Sequence, residues 1–208
     1  MARRGSYAKG VAKREEILST ALDVVARHGY RRTSVRELAD AVGLSPAGLL
    51  HYFSSKEELF AEILRKRDQL DLQRYAADGA PVTTTLVDVV RHNADVPGLV
   101  QLHAQVLVEA CDPEHPSHAD FRDRYARLRH ALADALKADA ASDAAATASA
   151  TVDAEVAAAL LVAAADGLQT QWRLDPSIDM AAHLEVLVDL LAAHVARLDP
   201  DPDERLSP

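Results

Sequence analysis

Residues 34–59 read SVRELADAVGLSPAGLLHYFSSKEEL, and this stretch decides the fold. Ser34 is a good helix cap, and Glu37, three residues on, can reach back to the free amides as a capping box. Val35, Leu38, Ala39 and Val42 then fall on one helical face. Gly43 follows the last apolar position, where a left-handed turn residue is wanted. Ser45 caps again, and Pro46 stands at the first helical position, where its missing amide costs nothing. Ser55 and Glu58 repeat the capping box and open a further helix. The pattern predicts two short helices joined by a tight turn, a helix-turn-helix over 34–53, with its second helix running from about Pro46 to Phe53.

That second helix has two faces. Leu49 and Phe53 are expected to pack on Val35, Leu38 and Val42. Ala47, Gly48, Leu50, His51 and Tyr52 lie around the remaining surface. Ala47 and Gly48 are small enough to let the helix start approach a groove closely. Tyr52 and Lys56 can both donate to phosphates. The same caps and turn also occur in helical hairpins that never meet DNA.

Around this hairpin the segment from about Glu16 to Leu64 resembles the DNA-binding domain of the tetracycline-repressor (TetR) family. The residues that carry the resemblance are Ile17, Ala21, Gly29, Thr33, Val35, Ala39, Gly43, Leu49, Tyr52, Phe53, Lys56, Leu59 and Phe60. The spacing from Gly29 to Lys56 matches without an insertion. The chain departs from the family at Gly48, where Thr is common, and at Leu50, where many members carry an aromatic. The resemblance implies an all-α fold of about nine helices and a DNA-reading set of Arg36, Ser45, Ala47, Gly48, Leu50, His51, Tyr52 and Lys56. It also implies a small-molecule inducer held in the body, and a homodimer on a palindromic operator.

The charge pattern agrees with DNA binding once it is divided. The formal net charge is −9. Residues 1–56 hold 10 Lys/Arg against 5 Asp/Glu, whereas the remainder holds 13 against 27. A basic head on an acidic body approaches a duplex head first, although uneven charge can also be no more than a solvated surface.

The rest of the chain reads as helices. Residues 1–10, MARRGSYAKG, carry no apolar period and are expected to be a mobile arm. A first helix is expected from about Val11 to His28, stopped by Gly29. A connecting helix runs from Lys56 to about Ala76. The body holds helices at about Thr84–Asn93, Pro97–Ala110, Ser117–Ala138, Val152–Leu174 and Ile178–Leu198. The low-complexity segment 138–151, ADAASDAAATASAT, is expected to be a mobile connection, because Thr, Ser and Asp interrupt its Ala. By function the divisions are 1–55 for DNA binding, 56–80 for connection, 81–198 for ligand binding and dimerisation, and 199–208 as a disordered tail.

The run AEVAAALLVAAADGL is apolar nearly all round, so both of its sides need cover. Either an interior position in a monomer or a second subunit supplies that cover. The similarity of DGLQTQWRLDP (166–176) to C-terminal helices of some TetR-type regulators favours the dimer. The expected interface is Val156, Leu160, Ala164, Leu184, Leu187 and Leu191. Polar groups among apolar walls suggest a pocket at His103, Val106, Leu107, Phe121, Tyr125, Gln169 and Trp172.

Several classes find no support. Cys111 is the only cysteine, so no intrachain disulfide exists. No uninterrupted apolar run reaches ~18 residues, and no signal-peptide pattern follows the basic start, so a cytoplasmic protein is expected. His115 and His118 are three apart, but Pro116 intervenes and no second pair follows at ligand spacing. No phosphate-cradling Gly loop or nucleophile elbow is present. The chain is expected to be no enzyme and to need no cofactor or metal. The alternative to a ligand-responsive repressor is an all-helical carrier or interaction protein whose hairpin no longer reads DNA.

Overall fold

The computed structural model describes residues 2–29, 32–76, 80–142 and 152–195. Among these the fold is all-helical, with nine helices: α1 (Ala2–His28), α2 (Val35–Ala41), α3 (Pro46–Leu50), α4 (Lys56–Tyr75), α5 (Val82–Asn93), α6 (Pro97–Ala110), α7 (His118–Ser142), α8 (Ala154–Leu174) and α9 (Met180–Ala192). An isolated parallel bridge joins Val152 to Val195. Among the described residues no helix is long and apolar enough to cross a membrane.

The chain packs as two compact units, residues 1–77 with 91–122, and residues 78–90 with 123–208. This division follows packing and cuts the chain elsewhere than at the boundaries expected by function, 55 and 80. In the first unit α1 contacts α2, α4 and α6, and α4 also contacts α6. Ile17, Leu18, Ala21 and Val25 of α1 are buried, as are Leu38, Leu49, Phe53, Leu59, Phe60, Ile63 and Leu102 from the other helices. Gly98 permits the closest approach. A Cβ there would lie 2.0 Å from the Val25 carbonyl oxygen and 2.9 Å from Gly29 Cα. Gly29 itself has φ +79, the left-handed conformation that ends α1.

The second unit is built on small residues. Ala154, Ala157, Ala158, Leu161 and Ala165 of α8 are buried with Leu132, Ala133 and Leu136 of α7 and with Met180, Ala181 and Leu184 of α9. Alanine on α8 suits this core, since small side chains allow neighbouring helices to approach closely.

Several boundaries differ from the sequence reading. Residues 2–10, expected as a mobile arm, are the first turns of α1. Ala, Arg and Lys are good helix formers, and an apolar stripe is not needed to extend a helix already nucleated. Residues 138–142, placed in the mobile connection, continue α7; residues 143–151 lie outside the described residues, as does the tail at 199–208. The second helix of the hairpin is α-helical only to Leu50 rather than to Phe53. The last helix spans Met180–Ala192, shorter at both ends than Ile178–Leu198.

Candidate nucleic-acid interface

Short-range hydrogen bonds build the hairpin. Ser34 Oγ accepts from the Glu37 amide at 3.1 Å, and the Glu37 carboxylate accepts from the Ser34 amide at 2.7 Å, so both arms of the first capping box are made. Those bonds, the Ser34 amide foremost and its hydroxyl next, hold the Glu37 carboxyl below its ordinary value. Gly43, at φ +69, makes the turn. Ser45 Oγ then accepts from the Gly48 amide at 3.0 Å. The third cap differs in one arm from the expected box. Ser55 Oγ accepts from the Glu58 amide at 3.1 Å, but the Glu58 carboxylate turns to the amide of Ser54 at 2.7 Å and to its hydroxyl. The Ser54 hydroxyl, then its amide, lowers the Glu58 pKa.

The inner side of the hairpin is as expected except at Val35, which is half-buried. Leu38 and Leu49 are fully buried, Phe53 is 1% exposed and Val42 is 8% exposed. After Leu50 the backbone tightens: the His51 amide bonds the Ala47 carbonyl, while Tyr52 bonds Leu49. This tighter turn leads into Phe53, which is buried. The Arg14 guanidinium of α1 covers the Phe53 ring at 4.7 Å and pairs with Glu62 at 2.9 Å and Glu58 at 3.5 Å. Lys66 on α4 pairs with Glu15 at 2.7 Å. These ion pairs fasten α1 to α4 beside the end of the reading helix. Arg14 was missed in the sequence, because its partners are 44 and 48 residues away and no local pattern links them.

None of the eight residues expected to read DNA is buried. Arg36, Ser45, Ala47, Leu50, His51 and Lys56 are exposed, and Gly48 and Tyr52 are half-buried. Leu50 is 38% exposed, a large apolar side chain with no place in the core. The His51 and Tyr52 rings meet edge to face, 5.9 Å apart. Lys56 lies 5.5 Å over the Phe60 ring. Gly48 has little spare room, since a Cβ would meet Ser45 Oγ at 3.1 Å. Any larger residue there presses on the cap that starts the helix.

The expected pocket residues divide between the two units. His103 and Val106 are buried in the first, with Leu107 half-buried, and the His103 ring lies 5.7 Å from that of Phe121, which is also buried. Tyr125, Gln169 and Trp172 belong to the second. There the Tyr125 hydroxyl donates to Asp166 at 2.6 Å, and the Gln169 amide donates to its own helix at Ala165. The expected interface residues divide too. Val156 and Leu160 are 53% and 48% exposed, whereas Leu184 is fully buried and Leu191 is 8% exposed. Ala164 and Leu187 are half-buried and pack against the core of their unit. Val186 and Leu190 on α9, which the sequence reading did not select, are 59% and 56% exposed.

His115 and His118 are used in the α6–α7 turn. His115 Nδ1 accepts from the Ser117 amide, and His118 Nδ1 donates to the Ala110 carbonyl at 2.9 Å. Among the described residues no group of three or more His, Cys, Asp or Glu side chains is placed to share a metal ion.

Residues 17–63 match the family model described as bacterial regulatory proteins of the tetR family. The HTH-type transcriptional repressor KstR2 of Rhodococcus jostii (strain RHA1) is 45% identical over 122 residues, covering 59% of this chain and 53% of that protein. The match thus spans about half the length of that curated relative. Among solved structures, a transcriptional regulator from Rhodococcus sp. Rha1 aligns with a TM-score of 0.63 at 26% identity, over 90% of this chain and 99% of the other. A structure described as a transcriptional regulator from Saccharomonospora viridis, in complex with choline, aligns with a TM-score of 0.62 at 25% identity, over 85% and 95%.

Proposed function

The chain belongs to the TetR family of bacterial regulators, and from that premise we propose that it is a homodimeric repressor which a small-molecule inducer releases from a palindromic operator. The observation that carries the DNA-binding part is the capped hairpin, with Leu38, Val42, Leu49 and Phe53 buried on its inner face and Ala47, Leu50 and His51 exposed on its outer face. The reading helix enters the major groove. His51 faces base edges, and Leu50 offers an apolar contact of the kind a thymine methyl accepts. Arg36, Tyr52 and Lys56 hold phosphates, which fix register without reading sequence.

The second unit supports dimerisation. Val156 and Leu160 on α8, with Val186 and Leu190 on α9, leave large apolar side chains exposed. A second copy of the chain covers them in a four-helix arrangement about a two-fold axis. Two reading helices so related call for a pseudo-palindromic operator with half-sites about one helical turn apart, ~34–36 Å. Inducer response is supported by the choline complex of the Saccharomonospora viridis regulator. Ligand and operator oppose each other equally, because the coupling is reciprocal.

A gel shift against DNA upstream of the chain's own gene, repeated over a range of salt, tests the reading. Specific retention is expected. Lys56→Ala is expected to weaken all duplexes alike and to flatten the log–log salt dependence by about one unit. Equal retention of a scrambled duplex would remove the repressor reading.

A further inference from the structure

A cleft in the first unit lies between α1, α4 and the segment joining α5 to α6. Its volume is about 570 Å³, within the range of roughly 300–1,000 Å³ that small-molecule sites occupy. Leu22, Leu70 and Leu99 give it apolar walls, and Arg67 and Arg74 line it with Asp23 and Asp71.

Arg67 is the informative residue. Its side chain is 7% exposed, and its Nε donates to Asp71 at 3.2 Å. Its Nη1 is buried and has no hydrogen-bond partner. A guanidinium has donors and no acceptor. What the site lacks is an acceptor. Arg74, seven residues on along α4, lies near the same helical face and lines the same cleft. Its guanidinium rests 5.9 Å over the ring of Tyr75. Asp71 is already engaged by Arg67 and Asp23 is exposed at the rim, so two guanidinium groups face two carboxylates, and the buried donor left without a partner is Arg67 Nη1.

We propose that this cleft binds an amphipathic carboxylate, its head accepting from Arg67 and Arg74 and its apolar body lying against the leucines. A carboxylate can take two parallel N–H donors from a guanidinium, which an alcohol or ketone cannot. The cleft borders α1 and α4, the two helices that ion pairs clamp together beside the reading helix. A ligand wedged between them therefore works against operator binding. That regulatory consequence rests on the DNA-binding reading; the site itself does not.

Calorimetry on the full chain with octanoate, octanol and octylamine decides the site. Octanoate is expected to bind at least tenfold more tightly than octanol, and octylamine not at all. Arg74→Gln, at an exposed position, is expected to weaken octanoate tenfold or more and leave octanol unchanged. Leu70→Trp, also at an exposed position, fills the cleft and is expected to abolish binding with an unchanged melting temperature. Octanol binding as tightly as octanoate, octyl phosphate binding more tightly than octanoate, or full octanoate binding by Leu70→Trp would each overturn the proposal. A gel shift with octanoate separates the two claims. If octanoate binds and the operator complex is unmoved, the site stands and its regulatory role falls.

Discussion

The reading hairpin and the α8–α9 pair solve opposite problems with the same kind of helix. The hairpin buries Leu38, Val42, Leu49 and Phe53, half-buries Val35 and Leu44, and among its large apolar residues exposes Leu50, beside Ala47 and His51. Its helices are only 7 and 5 residues long, too short to persist alone, so caps at each start and one shared core hold them. The α8–α9 pair is longer, and it leaves Val156, Leu160, Val186 and Leu190 exposed. A surface that reads DNA must remain solvated until a duplex replaces the water. A surface that meets a second copy gains by staying apolar, because removing it from water drives association at ~25 cal/mol per Å² before the costs of binding.

The largest effect expected from this contrast is on assembly. Leu160→Glu with Leu190→Glu would place two charges in the proposed interface, desolvated and unpaired, costing several kcal/mol. Both sites are exposed in the single chain, so helical content should persist while sedimentation shows monomers and operator affinity collapses. A double variant that still sediments as a dimer would place the interface on another face of the molecule.

His51→Ala addresses the other region and should cost roughly 1–3 kcal/mol of operator binding, with the loss dependent on base sequence. Titrations on cognate and scrambled duplexes decide it. Equal losses on both would make His51 a backbone contact.

Ser34→Ala removes a cap that touches no proposed base contact. It should lower unfolding stability by about 1 kcal/mol, read from urea denaturation, while the salt slope of DNA binding stays unchanged. A loss of slope instead would mean that Ser34 itself contacts phosphate.

The smallest effect is with pH. Hydrogen bonds from Ser34 and Ser54 depress the Glu37 and Glu58 carboxyls below their ordinary value of 4.5. Their contribution to stability is therefore complete above about pH 4.5 and is lost as pH falls through the lower folded values. Glu37→Gln with Glu58→Gln should flatten the acid limb of the stability curve and leave its shape above neutrality intact. Acid limbs that superimpose would show that the caps carry no titrating contribution.

How far each region could be read from the chain follows from the range of its contacts. The caps at Ser34, Ser45 and Ser55 are interactions across three residues, and all three were legible, as was α6 at Pro97–Ala110. The end of α3 was not. Its apolar period continues to Phe53, but the backbone tightens after Leu50 and Phe53 is covered by Arg14. The second arm of the third cap also escaped, since Ser54 and Ser55 both offer Glu58 a donor.

The sequence by itself determined the capped helix starts at Ser34, Ser45 and Ser55, the apolar faces of the helices, and the resemblance of the segment from about Glu16 to Leu64 to a TetR-type head; the caps and faces depend on neighbours within one or two turns. The tertiary structure decided which apolar residues remain outside. Leu184 and Leu191 sit in the core of their unit, while Val156, Leu160, Val186 and Leu190 do not. It also decided that Gly98 lies against the end of α1 and that Arg67 is buried with an unpaired donor. Periodicity fixes the angle of a side chain about its own helix, but burial depends on which distant helix covers that angle, and a helix with apolar residues on two sides carries no local mark of which side is covered.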